Sequence, residues 1–178
     1  MSDDGSRVKD ARVESLPPRE PPPGQARILI LGSMPGVASL RAQQYYGHSQ
    51  NAFWKILGEL WGLPLAQRPY AERVQALRAH GLGLWDVYAS CEREGSLDSA
   101  IRDPQPNDLA ALVAGLPDLR GIAHNGGESA RTMRLTRQLG PPVFRLPSTS
   151  PANASWSFER KLDAWRQALV QAGLPVKA

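Results

Sequence analysis

The apolar positions of this chain fall into four short runs separated by segments with helical periodicity. The runs predict buried strands at residues 27–31, 82–88, 119–124 and 143–146. Predicted helices begin near Ala52, Pro69, Asn107 and Gly126, and a last helix places on one face Phe158, Leu162, Trp165 and Leu169. Strands that alternate with helices predict an α/β fold: a three-layer αβα sandwich around a central four-stranded, mainly parallel sheet.

The first 25 residues show neither pattern. They are charged and proline-rich, with prolines at 17, 18, 21, 22 and 23, and they offer little apolar surface to bury. This composition predicts a disordered tail over residues 1–25. Residues 26–178 are long enough to form a single domain with its own core.

Composition limits the classes of function. The chain is 42% hydrophobic, has no apolar run of membrane-spanning length and no signal-like start, and carries one cysteine, Cys91. A single thiol argues against a disulfide framework or a multi-cysteine metal site. We therefore expect a cytoplasmic, monomeric protein without metal, cofactor or membrane partner. The net charge of +4 favours an anionic partner such as nucleic acid.

Polar loops follow three of the predicted strands, at residues 32–51, 86–102 and 147–154. In a parallel sheet these loops share one edge, where open α/β sheets hold ligands, so we expect one pocket. The first loop, G-S-M-P-G at residues 32–36, does not fit the G-x-G-x-x-G dinucleotide fingerprint, and its proline lacks a backbone donor.

The side chains of these loops are mainly hydroxyls, amides and tyrosines, with Asp86 as the carboxylate nearest a strand end. The histidines His48, His80 and His124 are scattered, so no Ser-His-Asp arrangement is indicated. Such a site suits a reaction that needs orientation and electrostatic support, for example cleavage of a glycosidic bond to a base.

Several ordered motifs resemble the uracil-DNA glycosylase superfamily. Residues 32–36, with Y-Y-G-H at 45–48 and N-A-F-W at 51–54, resemble its motif one, and L-P-S-T-S-P at 146–151 resembles motif two. Together with G-S-L-D-S-A-I at 95–101 and S-T-S-P-A-N at 148–153, they are most similar to the hypoxanthine-DNA glycosylase (DNA-deoxyinosine glycosylase) branch. The likeness runs from about residue 28 to the C-terminus.

The resemblance implies roles for individual residues. It implies catalytic roles for Asn51 and Ser33, with Asn51 orienting water or steadying the sugar cation. Met34 stands where mismatch-specific relatives carry a catalytic asparagine. The base-binding set implied is Met34, Pro35, Tyr46, Asp86 and Ser148, with Tyr46 stacking on the flipped base and Asp86 reading its edge. Ser148 replaces the histidine or asparagine of many relatives. The hydroxyl-rich loop is expected to contact DNA through Ser148, Thr149, Ser150 and Asn153.

Structural roles compete with several of these assignments. Phe53 and Trp54 fit core positions, and Asn51 fits a helix cap. Asp86 fits an ion pair with Arg93 or Arg102 as well as it fits base reading. Structural roles are also expected for His48 and His124, and Asp98 is expected to bond locally within its loop. The arginines at 131, 134 and 137 are expected on a solvated helix face, and the Cys91 thiol is expected to be inert.

The function expected is that of a monofunctional DNA glycosylase that removes deaminated bases, chiefly hypoxanthine, with water as nucleophile. No lysine lies in the motif loops, since Lys55 and Lys161 fall in helical segments, and a Schiff-base route requires such an amine. The alternatives are a uracil-preferring member of the same superfamily, a module that binds damaged DNA without cleaving it, and an unrelated nucleotide-binding α/β enzyme.

Overall fold

The computed structural model describes residues 12–19 and 25–177. Within these residues seven strands are formed: β1 (Arg12–Glu14), β2 (Ile28–Gly32), β3 (Leu82–Asp86), β4 (Tyr88–Glu92), β5 (Arg102–Pro106), β6 (Gly121–Asn125) and β7 (Val143–Leu146). The helices are α1 (Val37–Ala42), α2 (Phe53–Trp61), α3 (Tyr70–Ala79), α4 (Leu109–Ala114), α5 (Gly127–Ala130), α6 (Met133–Thr136) and α7 (Phe158–Gln171).

The central sheet has four parallel strands in the order β3-β2-β6-β7. Its central strand β2 is buried along its whole length, as expected for a strand covered on both faces. Ile28 and Ile30 point into a cluster with α2 and α7, whereas Leu29 and Leu31 point into a second cluster on the opposite face. The predicted αβα sandwich is therefore confirmed.

Helix α2 covers the larger of these two clusters. Phe53, Ile56, Leu57 and Leu60 recur at helical spacing and are all fully buried. Gly62 ends the helix in the left-handed conformation at φ 68°, which glycine adopts at little cost. The ring of Phe53 meets Trp165 of α7 edge to face at 5.8 Å, so the start of α2 is fixed beside the end of β2.

A second, antiparallel sheet of three strands in the order β1-β4-β5 was not predicted. After Asp86 the chain leaves the central sheet, and the predicted strand over residues 82–88 becomes two strands in two sheets. The segment between the predicted strand at residues 82–88 and the predicted helix near Asn107 contains β5, all five residues of which are exposed. Because β5 carries two prolines and buries no face, it gives no apolar alternation that would have revealed it.

The prediction of a disordered tail over residues 1–25 is wrong for residues 12–19. Strand β1 pairs with β4, Leu16 is buried, and Arg19 and Leu84 exchange backbone hydrogen bonds of 2.9 and 2.6 Å. These contacts rest mainly on main-chain hydrogen bonds, which composition does not report. Residues 1–11 and 20–24 of the predicted tail lie outside the described residues.

The structure also differs from two smaller predictions. The helix predicted to begin near Gly126 is divided into α5, α6 and a terminal 3₁₀ turn at Arg137–Leu139. The helix predicted to begin near Asn107 is α4, and its cap is Asp108, whose Oδ1 accepts the Ala111 N–H at 3.0 Å. None of the helices in the described part of the chain is long and apolar enough to cross a membrane.

Candidate active site

The loops that follow β2 and β7 meet at one edge of the central sheet and enclose a cleft of about 900 Å³. Residues 96–99, from the segment after β4, complete its wall. The expected convergence of three chain segments is therefore observed, and the volume lies within the range typical of small-molecule sites. Of the residues assigned above, the cleft is lined by Ser33, Met34, Pro35, Tyr46, Asn51, Ser148, Thr149, Ser150 and Asn153.

Ser33 and Asp98 form a short hydrogen bond at the cleft wall. Ser33 comes directly after β2, is 8% exposed, and donates its hydroxyl to Asp98 Oδ1 at 2.6 Å. Partial burial of the Asp98 carboxyl raises its pKa, while the bond from Ser33 opposes that rise. The local loop bond expected for Asp98 is therefore replaced by a contact across 65 residues of sequence.

Asn51 lies at the start of α2, where its side chain has one defined partner. Its Oδ1 accepts the Phe53 N–H at 3.0 Å, although Ala52 occupies the formal cap position. The next residue is held from the opposite loop, because Ala52 N donates to Thr149 O at 2.9 Å. Asn51 thus supports the helix start and also lines the cleft, as the cap alternative and the catalytic alternative each require.

Tyr46 has one ring face packed on the core. Its ring stacks on Phe53 with centroids 4.1 Å apart, and its backbone has φ 53°, an unusual value for a tyrosine. The Tyr46 hydroxyl is buried without a hydrogen-bond partner, and burial raises its pKa. A strained backbone and an unsatisfied hydroxyl in a cleft are features that cluster at functional sites.

Asp86 lies behind the cleft floor and is not among the residues that line it. Gly32 lines the cleft, and a Cβ placed on it would lie 2.5 Å from Asp86 Oδ1, so this carboxyl lies directly next to the floor. Asp86 is 4% exposed, and its Oδ2 has no partner. Burial, followed by the charge of Asp98, raises the pKa of Asp86 to about 7.

The ion pair considered for Asp86 is not formed among the described residues. The two salt bridges found there join Arg12 to Asp103 and Arg131 to Glu128. Arg93 lowers the pKa of Asp86 through its charge alone. The guanidinium of Arg93 is buried and donates to Pro35 O at 2.5 Å, so it supports the backbone of the first loop.

The loop after β7 is held in shape by its own polar side chains. Ser148 Oγ accepts from Ser150 N at 3.1 Å, Ser150 Oγ accepts from Ala152 N at 3.2 Å, and Asn153 Nδ2 donates to Ser148 O at 3.1 Å. Thr149 differs from its neighbours. It is 1% exposed, and its hydroxyl accepts from Asn125 Nδ2 at 3.0 Å, so this hydroxyl is not available to a DNA phosphate.

Lys161 of α7 contacts the same loop from inside the protein. Its side chain is buried, and Nζ donates to Ser150 O at 3.4 Å. Burial lowers its pKa. No lysine lies in the motif loops, as noted from the sequence, yet this amine reaches one of them. Lys161 is not among the residues that line the cleft.

The structural roles expected for histidines and aromatics have clear partners. His124 is fully buried between the hydroxyls of Ser129 and Thr136, each 2.8 Å from a ring nitrogen, and burial lowers its pKa to about 4. His48 lies at the exposed rim, where its Nδ1 accepts the Gln50 N–H at 3.1 Å. Trp54 is buried and donates to Tyr45 O at 3.0 Å.

Asn125 and Trp156 are among the cleft residues that were not assigned from the sequence. Asn125 ends β6, and its amide bridges to the last loop by accepting from Thr149 N at 3.1 Å. Its place directly after a predicted strand, like the polar residues of the other strand ends, could have revealed it. Trp156 also lines the cleft, with the Arg160 guanidinium 4.1 Å above its ring. A single tryptophan outside the motifs carries no comparable sequence signal.

Known proteins are similar to this chain along most of its length. Residues 18–170 match the family model described as the uracil DNA glycosylase superfamily. A protein of Methanosarcina acetivorans named hypoxanthine DNA glycosylase is 41% identical over 134 residues, which cover 75% of this chain and 85% of the relative. Its namesake in Methanosarcina barkeri is 38% identical over 141 residues, which cover 79% and 89%.

A solved structure shows the same fold. The solution NMR structure of a uracil DNA glycosylase candidate from Methanosarcina acetivorans superposes with a TM-score of 0.81 at 35% identity, covering 90% of this chain and 98% of that one. The family match confirms the resemblance identified from the motifs and the predicted enzyme class, a DNA glycosylase. With its fold, cleft and motifs, this chain belongs to the uracil DNA glycosylase superfamily.

Proposed function

We propose that this chain removes deaminated bases from DNA, chiefly hypoxanthine, by hydrolysing the N-glycosidic bond without a covalent enzyme intermediate. The observation that carries this proposal is made at the cleft floor: the half-buried Tyr46 ring and Gly32 line the cleft, and the buried Asp86 carboxyl, whose Oδ2 has no partner, lies next to Gly32. The names of the two Methanosarcina relatives support hypoxanthine as the first base to test.

The floor offers groups that complement the edge of hypoxanthine. That edge presents an N–H donor beside a carbonyl acceptor. Because the pKa of Asp86 is raised to about 7, its carboxyl exists in both forms near neutral pH. The protonated form both donates and accepts, and Gly32 leaves space above it. We assign base recognition to Asp86 and stacking to Tyr46, with Met34, Pro35 and Ser148 completing the walls.

A catalytic role is proposed for Asn51, and a positioning role for Ser33. The Oδ1 of Asn51 is engaged at the helix start, which leaves its amide N–H groups to orient water or the sugar. Ser33 acts through its hydrogen bond to the adjacent loop. DNA contacts are proposed for Ser148, Ser150 and Asn153, but not for Thr149, which is 1% exposed. Extrusion of the damaged base places it in the cleft.

The monofunctional mechanism is supported by the absence of lysine from the described residues that line the cleft. We further propose that the protein works as a monomer in the cytoplasm, on nucleoid DNA.

The test is single-turnover release of free base from duplexes that contain inosine, uracil or xanthine. We expect release from inosine and a rate at least about 100-fold lower for Asn51→Ala, the usual effect of losing an orienting donor. Gln50→Ala, an adjacent exposed amide outside the cleft, is the matched control and should keep the wild-type rate.

A second variant separates catalysis from support of the helix. Asn51→Ser retains an oxygen able to accept the Phe53 N–H but loses the amide donors. We expect Asn51→Ser to be folded and to release base slowly. Wild-type activity in Asn51→Ser would remove Asn51 from catalysis. Release from uracil alone would favour the uracil-preferring alternative, and binding of inosine duplex without release would favour the non-catalytic module.

A further inference from the structure

The hydrolysis proposed above requires an acceptor for a proton of the attacking water. A carboxylate suits this role, because it can also stabilise the positive charge that develops on the sugar. Among the described residues that line the cleft, Asp98 is the only Asp or Glu. The first loop, G-S-M-P-G, contains no carboxylate. The carboxylate that accepts the proton must therefore come from another segment of the chain.

The other candidate bases near the cleft are excluded by their contacts. His48 accepts the Gln50 N–H through Nδ1, so its neutral ring carries the proton on Nε2 and presents a donor. His124 is fully buried and does not line the cleft. Asp86 lies behind Gly32, on the side of the proposed base-recognition floor.

Asp98 is held in place from several sides. Ser33 donates to its Oδ1 at 2.6 Å, and no hydrogen bond to its Oδ2 is found among the described residues. Two residues before it, Ser96 Oγ accepts the Val37 N–H at 2.8 Å. Three residues after it, Ile101 is buried against Met34. These anchors fix the loop after β4 across the loop after β2 and leave one carboxylate oxygen for a further ligand.

We propose that Asp98 is the catalytic base of this enzyme and that Ser33 is its positioning residue. The inference rests on the glycosylase function proposed above. The oxygen of water forms a bond to the sugar C1′ as the bond from C1′ to the base nitrogen breaks. The electron pair of that bond leaves with the base, which is protonated from solvent. Asp98 accepts the proton of the water and later releases it to solvent.

The charged groups around Asp98 are consistent with this role. Desolvation is the largest influence on its pKa and raises it; Glu128 raises it further, whereas Ser33 and Arg93 lower it. A carboxylate whose pKa is raised is a stronger proton acceptor than one at its ordinary value, and the exposure of Asp98 leaves it open to the attacking water.

The test compares the pH dependence of single-turnover release from inosine duplex for four proteins. Asp98→Asn should lose about 100-fold to 10,000-fold in rate, the usual contribution of a general base, and should lose the acidic limb of the profile. Glu94→Gln removes the same charge from an exposed residue of the same loop and should match the wild type. Duplex binding should be retained in both variants.

Ser33→Ala provides a readout that a purely structural role would not change. Removing its hydrogen bond raises the pKa of Asp98, so the acidic limb should move to higher pH. A wild-type rate and profile for folded Asp98→Asn would overturn the proposal, as would an unshifted limb in Ser33→Ala. If the wild type releases no base at all, the proposed function fails and the role of Asp98 fails with it.

Discussion

A methyl group added at residue 32 tests how closely the cleft floor is packed. In Gly32→Ala the new Cβ would lie 2.5 Å from Asp86 Oδ1 and 3.2 Å from Tyr46 Oη. The first distance is shorter than real carbon contacts allow, so one of these groups must move. Tyr46 is backed by Phe53 at 4.1 Å, and Asp86 is 4% exposed, so neither has free space behind it.

Overpacking of a filled interior costs about 1–3 kcal/mol. In a domain of this length each kcal/mol lowers Tm by about 2–4 °C. We therefore expect Gly32→Ala to melt several degrees below the wild type and to release base slowly, because the space proposed for the base is reduced. Thermal unfolding by circular dichroism and single-turnover base release measure the two effects.

Two further variants make this prediction specific. Gly115→Ala adds the same methyl group at φ −86°, where the nearest atom outside its chain neighbours is Leu112 O at 3.5 Å, and should not lower Tm. Adding Asp86→Ala to Gly32→Ala removes the clashing carboxyl, so the two effects should couple by about 0.5–3 kcal/mol. A wild-type Tm in Gly32→Ala, or strict additivity in the double variant, would refute the packing described for the floor.

Two other predictions concern buried charges. The pKa of Asp86 is raised from 3.8 to about 7, so the unfolded chain loses this proton at a lower pH than the folded protein does. The stability that the protonated carboxyl contributes is therefore fully present below pH 3.8 and is lost as the pH rises to 7. In urea unfolding, the free energy of unfolding of Asp86→Asn should therefore rise relative to that of the wild type between pH 5 and pH 8. An equal difference between the two proteins at both pH values would contradict the raised pKa. Lys161→Met should slow base release, because the loop after β7 loses the hydrogen bond from Nζ to Ser150 O. Borohydride should trap neither the wild type nor Lys161→Met on DNA, because no covalent intermediate is expected. Trapping of the wild type but not of Lys161→Met would instead show a covalent intermediate.

The central sheet was predictable because its strands are buried on both faces. A run such as residues 28–31 is continuously apolar, and four such runs separated by helical segments leave few arrangements other than a parallel sheet. The same argument placed the loops after β2 and β7 at one edge. The predicted cleft therefore followed from topology and did not depend on knowing any side-chain contact.

The second sheet and the Asp98 contact were not predictable in this way. Strand β5 is wholly exposed, and β1 is held mainly by backbone bonds, so neither leaves an apolar pattern. The bond from Ser33 to Asp98 joins residues 65 positions apart in the chain. It depends on how β4 turns away from the central sheet, which no local pattern in the sequence reports. The depth of Asp86 behind Gly32 is likewise a property of packing.

The N-terminal segment, residues 12–19, bears on how the protein should be shortened for expression. The Tyr45 hydroxyl donates to Leu16 O at 3.2 Å and to Pro17 O at 3.0 Å, and Tyr45 directly precedes the proposed stacking residue, Tyr46. A truncation at residue 26, which composition alone suggests, would leave that hydroxyl without these acceptors and expose the edge of β4. The family match begins at residue 18 and omits β1. Domain boundaries drawn from that match would remove β1 together with the two carbonyls that bind the Tyr45 hydroxyl.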